Sequence, residues 1–218
     1  EVSLAHNGVL FLDELPEFSK QVTEILRQPL EDGEITITRA VGRCTFPTSF
    51  MLVCAMNPCK CGYYGHPTKK CSCRPEEIQK YMAKISGPLL DRIDIQVEVS
   101  SLSYDELSAA GQGESSETVR GRVNAARAFA RGRYKKAGKV IHCNANLSAA
   151  DVRAFCTLDE EGDAILRAAY EGLGLSARGH DRILRVARTI ADLEGCERIG
   201  ALHVAEAIRM RSLDRKYF

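Results

Sequence analysis

Two adjacent carboxylates, Asp13 and Glu14, directly follow a short apolar run at residues 8–12. A continuous apolar run of this length is typical of a strand buried on both faces of a parallel sheet. Polar groups at the carboxyl end of such a strand lie at the sheet edge where α/β proteins bind ligands. There, one carboxylate can help to hold Mg²⁺ while its neighbour polarises a water that attacks a phosphate. The same residues also suit an acidic helix N-terminus, where both charges would favour the helix dipole.

Three further polar residues stand where a phosphate-handling site would need them. Asn57 ends the next apolar run, residues 50–56, one strand after the paired acids, although a turn before Pro58 would explain it equally. Arg92 lies among acidic residues, where it could form a surface ion pair or reach a phosphate held by a neighbouring subunit. Arg178 stands at the start of a predicted helix, either as a phosphate contact or as a solvated residue.

Four of the nine cysteines form a compact block that suits a metal ion. Cys59 and Cys61 form one Cys-x-Cys arm, and after nine residues Cys71 and Cys73 form a second. Two such arms could close four thiolates around a tetrahedral Zn²⁺ ion, and with no open ligand position that site would be structural. The alternatives are a redox pair, a loop of free thiols, or a site in which His66 replaces one cysteine.

The spacing of apolar residues predicts an α/β part with a parallel sheet, followed by a helical part. The α/β part has predicted strands at residues 8–12, 50–56 and 93–99, a helix at 16–30, and a hairpin of strands 34–38 and 43–46 with its tip at 39–42. The helical part has predicted helices at residues 116–134, from Ser148 onward with Asp151 completing a capping box, 159–171, 176–194 and 201–212. A linker-like segment at 111–116 gives predicted domains of residues 1–102 and 103–218, with a metal-binding insertion at 58–74.

Composition and charge exclude several classes of protein. The 218 residues carry a formal net charge of +1, so any contact with nucleic acid must come from local patches. No apolar run approaches the ~20 residues that a membrane span needs, and no signal-peptide pattern is present. The odd and unevenly spaced cysteines favour a reducing cytoplasm over a secreted disulfide framework. The chain begins at Glu1 rather than at a methionine, so we expect it to belong to a longer protein.

Four segments, taken in their order along the chain, resemble one protein family. They are GVLFLDEL, MNPC, LLDRID and LSAR. In this order they resemble the magnesium-chelatase-like AAA+ family. The segment CKCGYYG resembles the ComM/YifB branch of that family rather than true magnesium chelatase. The resemblance extends from about residue 2 to residue 211.

The resemblance implies a partial AAA+ α/β core followed by an all-helical lid domain, within a ring-forming, hexameric ATPase. By motif match, Asp13 and Glu14 would be the Walker B acids, Asn57 sensor 1, Arg92 the arginine finger and Arg178 sensor 2. ATP and Mg²⁺ would be bound with the help of Asp13 and Arg178.

The resemblance also implies a DNA partner, single-stranded or branched, because members of this branch act in branch migration and are related to the minichromosome maintenance helicases. The predicted hairpin resembles the pore hairpin of those helicases, so Arg39 and Arg43 would contact the phosphate backbone. A solvated hairpin with ordinary basic residues is the alternative. The basic residues of the 116–134 helix are spread around it and predict a solvated surface.

One motif of the family has no match in this sequence. The phosphate-binding loop Gly-x-x-x-x-Gly-Lys-[Ser/Thr] supplies most of the grip on phosphate. We therefore expect this chain alone to bind ATP weakly or not at all. Two other functions stay open: a magnesium-chelatase motor subunit, against which the cysteine block argues, and a non-hydrolysing interaction module.

Overall fold

The computed structural model describes residues 1–40, 42–101, 104, 108 and 113–211. These residues form two compact units, the first ending at Ile93 and the second beginning at Asp94. The predicted domain boundary at residues 102–103 falls outside the described residues. The fold class is the predicted one, an α/β unit with a parallel strand pair followed by a helical unit.

The first unit contains two separate pairs of strands. In chain order, they are β1 (Val9–Leu12), β2 (Glu34–Arg39), β3 (Gly42–Pro47) and β4 (Met51–Cys54). β1 and β4 run parallel with Leu12 opposite Cys54, so their carboxyl ends meet at one edge. β2 and β3 form an antiparallel hairpin in which Arg39 opposes Gly42. The positions of the two predicted core strands and the predicted hairpin are thereby confirmed, but the predicted burial of the core strands on both faces is wrong, since Phe11 and Met51 are 58% and 59% exposed.

The third predicted strand, residues 93–99, is wrong. Among the described residues, this stretch makes one isolated bridge, in which the Gln96 N–H donates to the Met210 carbonyl over 2.6 Å. Its alternating apolar side chains face solvent, since Val97 and Val99 are 69% and 91% exposed. Alternation stabilises a strand only when a partner strand and a core face cover it. Within the described residues, neither is present here.

The helices of the first unit are short. The predicted helix at residues 16–30 is divided, because Pro29 has no N–H to donate to the Ile25 carbonyl. Ser19 starts the second piece, its hydroxyl accepting a hydrogen bond from the Val22 N–H. The helical elements are a 3₁₀ turn (Leu15–Glu17), α1 (Lys20–Ile25), α2 (Arg27–Asp32), α3 (Pro75–Met82) and α4 (Gly87–Leu90).

The second unit is built from longer helices at the predicted places. Its helical elements are α5 (Ser116–Lys136), a 3₁₀ turn (Asn144–Asn146), α6 (Ala149–Phe155), α7 (Glu160–Leu173), α8 (Ala177–Leu193) and α9 (Ala201–Arg209). The predicted capping box is present, since Ser148 accepts from the Asp151 N–H and Asp151 accepts from the Ser148 N–H. Among the described helices, none is both long and apolar enough to cross a membrane.

A single apolar core holds the second unit together. The helix α8 lies at its centre and contacts α5, α6 and α9, while α9 also contacts α7. Fully buried side chains include Ile183, Ala187, Ile199 and Val204. Burial of an isoleucine or valine side chain stabilises by about 1.5–3 kcal/mol, so the core that forms around the buried residues of α8 explains why this helix forms despite its polar composition.

A buried polar network links helices of the same unit. Asp192 is 3% exposed and accepts hydrogen bonds from Arg188 over 3.2 Å, from Arg133 over 3.3 Å and from Asn144 over 2.9 Å. Arg188 is 1% exposed and also donates to the Glu197 carbonyl over 2.7 Å. Each charge is paired, which is the condition for tolerating ions in a protein interior. The prediction of a solvated basic surface is thus wrong for Arg133, which links α5 to α8.

Candidate nucleotide site and metal centre

The paired acids and Asn57 lie at the same edge of the parallel strand pair. Beyond the strands, the Ala55 N–H donates to the Leu12 carbonyl over 2.9 Å, and the Leu15 N–H donates to the Ala55 carbonyl over 3.0 Å. Asp13 and Glu14 sit between those two hydrogen bonds, and Asn57 follows two residues after the second. All three are exposed. The edge therefore presents two carboxylates and an amide to a ligand.

The backbone at Glu14 is in the left-handed conformation, with φ 50° and ψ 46°. This conformation costs a residue other than glycine about 1–2 kcal/mol. The Asp13 carboxylate accepts the Glu14 N–H over 2.9 Å, and the buried Leu15 anchors the chain on the far side. Glu14 precedes the 3₁₀ turn, but its carboxylate makes no capping hydrogen bond. Strained residues of this kind cluster at functional sites.

Tyr81 of α3 is a buried neighbour of this edge that the sequence did not indicate. It is 7% exposed. Burial raises the pKa of its phenol, the charges of Glu17 and Glu14 add to that rise, and a hydrogen bond with the Asn57 backbone opposes it. The hydroxyl is therefore close to Glu17, Glu14 and the Asn57 backbone. A helical pattern identifies Tyr81 as a core residue, but it does not show what the hydroxyl contacts.

Arg92 lies just beyond α4 and is held by its own unit. Its guanidinium forms an ion pair with Glu31 of α2, and Nη1 donates to the Pro88 carbonyl over 2.7 Å. The side chain is 9% exposed. The sequence analysis left open that Arg92 forms a surface ion pair. That interpretation is partly right, because the ion pair exists but the arginine is largely buried.

Arg178 belongs to the second unit, at the second position of α8. It is exposed, and the Ser176 hydroxyl caps its helix by accepting the Gly179 N–H over 3.0 Å. An arginine in the first turn of a long helix lies beside the positive end of the helix dipole, and such a position can attract an anion.

The four cysteines of the block lie together, as the spacing predicts. The Sγ atoms of Cys59, Cys61 and Cys71 are 3.4, 3.5 and 3.7 Å apart, and Cys73 Sγ lies within 4.8 Å of each. Four sulfurs at ~2.3 Å from a tetrahedral Zn²⁺ would be about 3.8 Å apart. The distances are far too long for disulfides. The donor set and its spacing therefore fit zinc.

The backbone beside these cysteines turns tightly and donates hydrogen bonds to one of the sulfurs. Gly62 has φ 81°, a conformation that favours glycine, and its N–H donates to the Cys59 carbonyl over 3.0 Å. Hydrogen bonds from the backbone of Tyr63 and Ser72 lower the pKa of the Cys61 thiol to about 5. His66 is not one of the converging ligands, since its Nδ1 accepts the Lys69 N–H over 3.0 Å.

A second group of possible ligands, Glu194, Cys196 and His203, has a different explanation. The Nδ1 atom of His203 accepts the Gly200 N–H over 2.8 Å at the start of α9. A neutral imidazole that accepts at Nδ1 carries its proton on Nε2, which here lies 2.9 Å from Glu194 Oε2. A protonated nitrogen cannot bind a metal ion, so this group is a helix cap.

The two arginines of the hairpin lie on opposite faces. Residues directly opposed in an antiparallel pair share a face, and successive residues alternate. Arg39 opposes Gly42 and shares a face with Ile37, whereas Arg43 opposes Thr38. Both arginines are exposed. The hairpin therefore carries one positive charge on each side near its tip.

Comparison with known proteins identifies the family. A family model described as magnesium chelatase, subunit ChlI, matches residues 1–107, and one described as the ChlI C-terminal matches residues 113–211. Competence protein ComM of Haemophilus influenzae is 44% identical over 99% of this chain and 41% of its own length. The uncharacterized YifB proteins of Escherichia coli and Salmonella typhimurium are 43% and 41% identical over the same shares. The chain thus spans 41% of the length of these relatives. Because the two matches together cover nearly the whole chain, it belongs to the magnesium-chelatase-like AAA+ family.

Proposed function

We propose that this chain supplies the hydrolytic acids, the sensors and the arginine finger of a ring-forming ATPase that acts on DNA. The observation that carries the proposal is the common edge of β1 and β4, which Asp13, Glu14 and Asn57 follow. A phosphate-binding loop would have to come from outside these residues. Arg92 would serve the nucleotide of a neighbouring subunit, and Arg178 the nucleotide of its own.

The two acids have different roles in this proposal. The Asp13 carboxylate offers the hard oxygen that suits Mg²⁺, an ion that neutralises phosphate charge when bound. Glu14 orients and polarises the attacking water, and its carboxylate makes no capping hydrogen bond in the 3₁₀ turn that follows. Asn57 would hold the same water or the γ-phosphate from the adjacent strand.

ATP turnover by the full-length protein, with and without branched DNA, tests this function. We expect turnover in the wild type, stimulation by DNA, and a loss of about 100-fold or more in Asp13→Asn. Turnover that responds to a porphyrin precursor and not to DNA would favour the chelatase motor instead. Nucleotide binding without turnover would favour the non-hydrolysing module.

We propose that the four cysteines hold a structural zinc ion. The proposal rests on the four converging sulfurs, and on the position of Cys59, which is fully buried two residues after Asn57. Elemental analysis of protein never exposed to chelator or acid should give about one zinc per chain. Cys59→Ser should abolish that content, while Cys44→Ser, at an exposed thiol outside the block, should not. Zinc-free wild type would contradict the assignment.

We propose that the hairpin contacts the DNA backbone through Arg39 and Arg43. Because the two side chains lie on opposite faces, each should contact a different phosphate. Each alanine substitution should weaken binding and lower the slope of log affinity against log salt by about one, and the two effects should add. The exposed Arg167, replaced by alanine, is the control. An unchanged slope in both hairpin variants would make this a solvated hairpin.

A further inference from the structure

Two of the three guanidinium nitrogens of Arg92 have hydrogen-bond partners within its own unit. Nη2 pairs with Glu31, and Nη1 donates to the Pro88 carbonyl over 2.7 Å. The third nitrogen, Nε, is buried and has no acceptor within reach among the described residues. Arg92 is therefore both enclosed and incompletely satisfied, which is an unfavourable state for a buried donor.

The burial of Arg92 is unsuitable for a residue that contacts the nucleotide of a neighbouring subunit. A group that reaches a phosphate outside its own subunit must present its donors at the surface, but this side chain is only 9% exposed. Glu31, by contrast, is 38% exposed in its side chain, so this side of the ion pair is open to solvent. The two partners lie 61 residues apart, on α2 and just beyond α4, so the contact is a tertiary one.

We propose that Glu31 withholds Arg92 in the separate subunit, and that the phosphate of a neighbour's nucleotide displaces Glu31 during ring assembly. This inference rests on the function proposed above. The exchange replaces one anion by another on the same planar fork, so the guanidinium keeps a charged partner throughout. The incompletely satisfied Nε favours the exchange, because a phosphate offers several acceptor oxygens. Turnover would then require both a neighbour and its nucleotide.

A nearby ion pair provides a matched comparison. Glu24 and Arg27 of α1 and α2 pair over 2.6 Å, and they line the same groove as Glu31 and Arg92. Neutralising Glu24 removes the same charge from the same groove, but it leaves the contact between Glu31 and Arg92 in place. Each glutamate should therefore protect its own arginine.

The first arm of the test measures how fast an arginine-selective dicarbonyl reagent, p-hydroxyphenylglyoxal, modifies Arg92 in the full-length protein at subunit concentrations too low for assembly. Peptide mass spectrometry reads each arginine separately. Glu31→Gln should speed the modification of Arg92 roughly three- to tenfold, the range expected from losing one partly exposed ion pair, and leave Arg27 unchanged. Glu24→Gln should do the reverse. Equal rates for Arg92 in wild type and Glu31→Gln would overturn the proposal.

The second arm measures ATP turnover at a subunit concentration below saturation. Glu31→Gln should turn over faster than wild type by a similar factor, and the difference should shrink as the subunit concentration rises. If Glu31→Gln speeds modification but slows turnover, Glu31 positions Arg92 for catalysis and the withholding proposal is overturned. Where Glu31→Gln does not fold, Glu31→Asp, which shortens the reach and keeps the charge, should show the same two accelerations.

Arg92→Ala separates this proposal from the function on which it rests. If Arg92→Ala leaves turnover unchanged, Arg92 is not the arginine finger and the proposed function is wrong in that respect. If Arg92→Ala abolishes turnover but Glu31→Gln changes neither rate, the function stands and the withholding contact is refuted.

Discussion

The two units differ in what their side chains cover. In the second, α8 is surrounded by other helices, and even its charged residues Arg188 and Asp192 are buried and paired. In the first, the strands leave apolar side chains in solvent, with Val9, Phe11 and Met51 between 55% and 59% exposed. The helical unit thus has a closed core, whereas the strands of the α/β unit present one open apolar face.

Two buried arginine side chains, one in each unit, differ in how fully their nitrogens are hydrogen-bonded. Arg188 donates to Asp192 and to the backbone carbonyls of Cys196 and Glu197, so each of its three guanidinium nitrogens has an acceptor. Arg92 is almost as buried in its side chain, yet its Nε lacks an acceptor among the described residues. The buried Nε atoms of Arg27 and Arg185 also lack an acceptor among the described residues, so this feature occurs in both units.

The largest effect on stability should come from breaking the buried network. Asp192→Ala leaves the buried Arg188 and the partly buried Arg133 without their shared carboxylate, and it should destabilise the helical unit by about 3–5 kcal/mol. Urea unfolding followed by circular dichroism measures this loss. Asp163→Ala, which removes an exposed ion pair with Arg167, should cost less than about 0.5 kcal/mol. Similar losses in the two variants would show that the buried network contributes no more to stability than an exposed ion pair.

A smaller effect should follow from truncating the same side chain in each unit. Val204→Ala, at a fully buried position in α9, should cost about 1.5–3 kcal/mol. Val9→Ala, at a position 55% exposed in β1, should cost under about 1 kcal/mol in this chain. The same unfolding measurement compares them. A larger cost at Val9 would mean that the strand face is covered.

The smallest effect concerns pH. Hydrogen bonds from Lys139 and Ser148 lower the pKa of Asp151 from 3.8 to about 2. Because the folded pKa is the lower one, Asp151 stabilises the fold above its ordinary pKa, and this contribution is lost as pH falls toward 2. Asp151→Asn should therefore flatten the decline in stability between about pH 4 and pH 2. A decline as steep as in wild type would show that Asp151 does not contribute to it.

Local patterns in the sequence predicted the parts of the fold that local forces determine. The hairpin and the Ser148 cap depend on neighbouring residues and were predicted, and the two core strands were predicted from their apolar runs although β1 pairs with the distant β4. The strand at 93–99 failed because its alternation required a partner strand. The contacts of Tyr81 with Asn57 and of Arg92 with Glu31 were missed, since they join residues far apart in the chain. For Arg133, a helical pattern gave its place on α5 but not the buried carboxylate it meets.

The most direct test of the central claim is ATP turnover by the full-length protein with Glu14→Gln, beside the matched control Glu17→Gln. Glu17 is an exposed carboxylate three residues further on, paired with Lys84 over 3.4 Å. The account predicts that Glu14→Gln lowers turnover about 100-fold or more while nucleotide still binds, and that Glu17→Gln stays near wild type. Full turnover in Glu14→Gln, or an equal loss in both variants, would contradict the assignment of the β1 edge as the hydrolytic site.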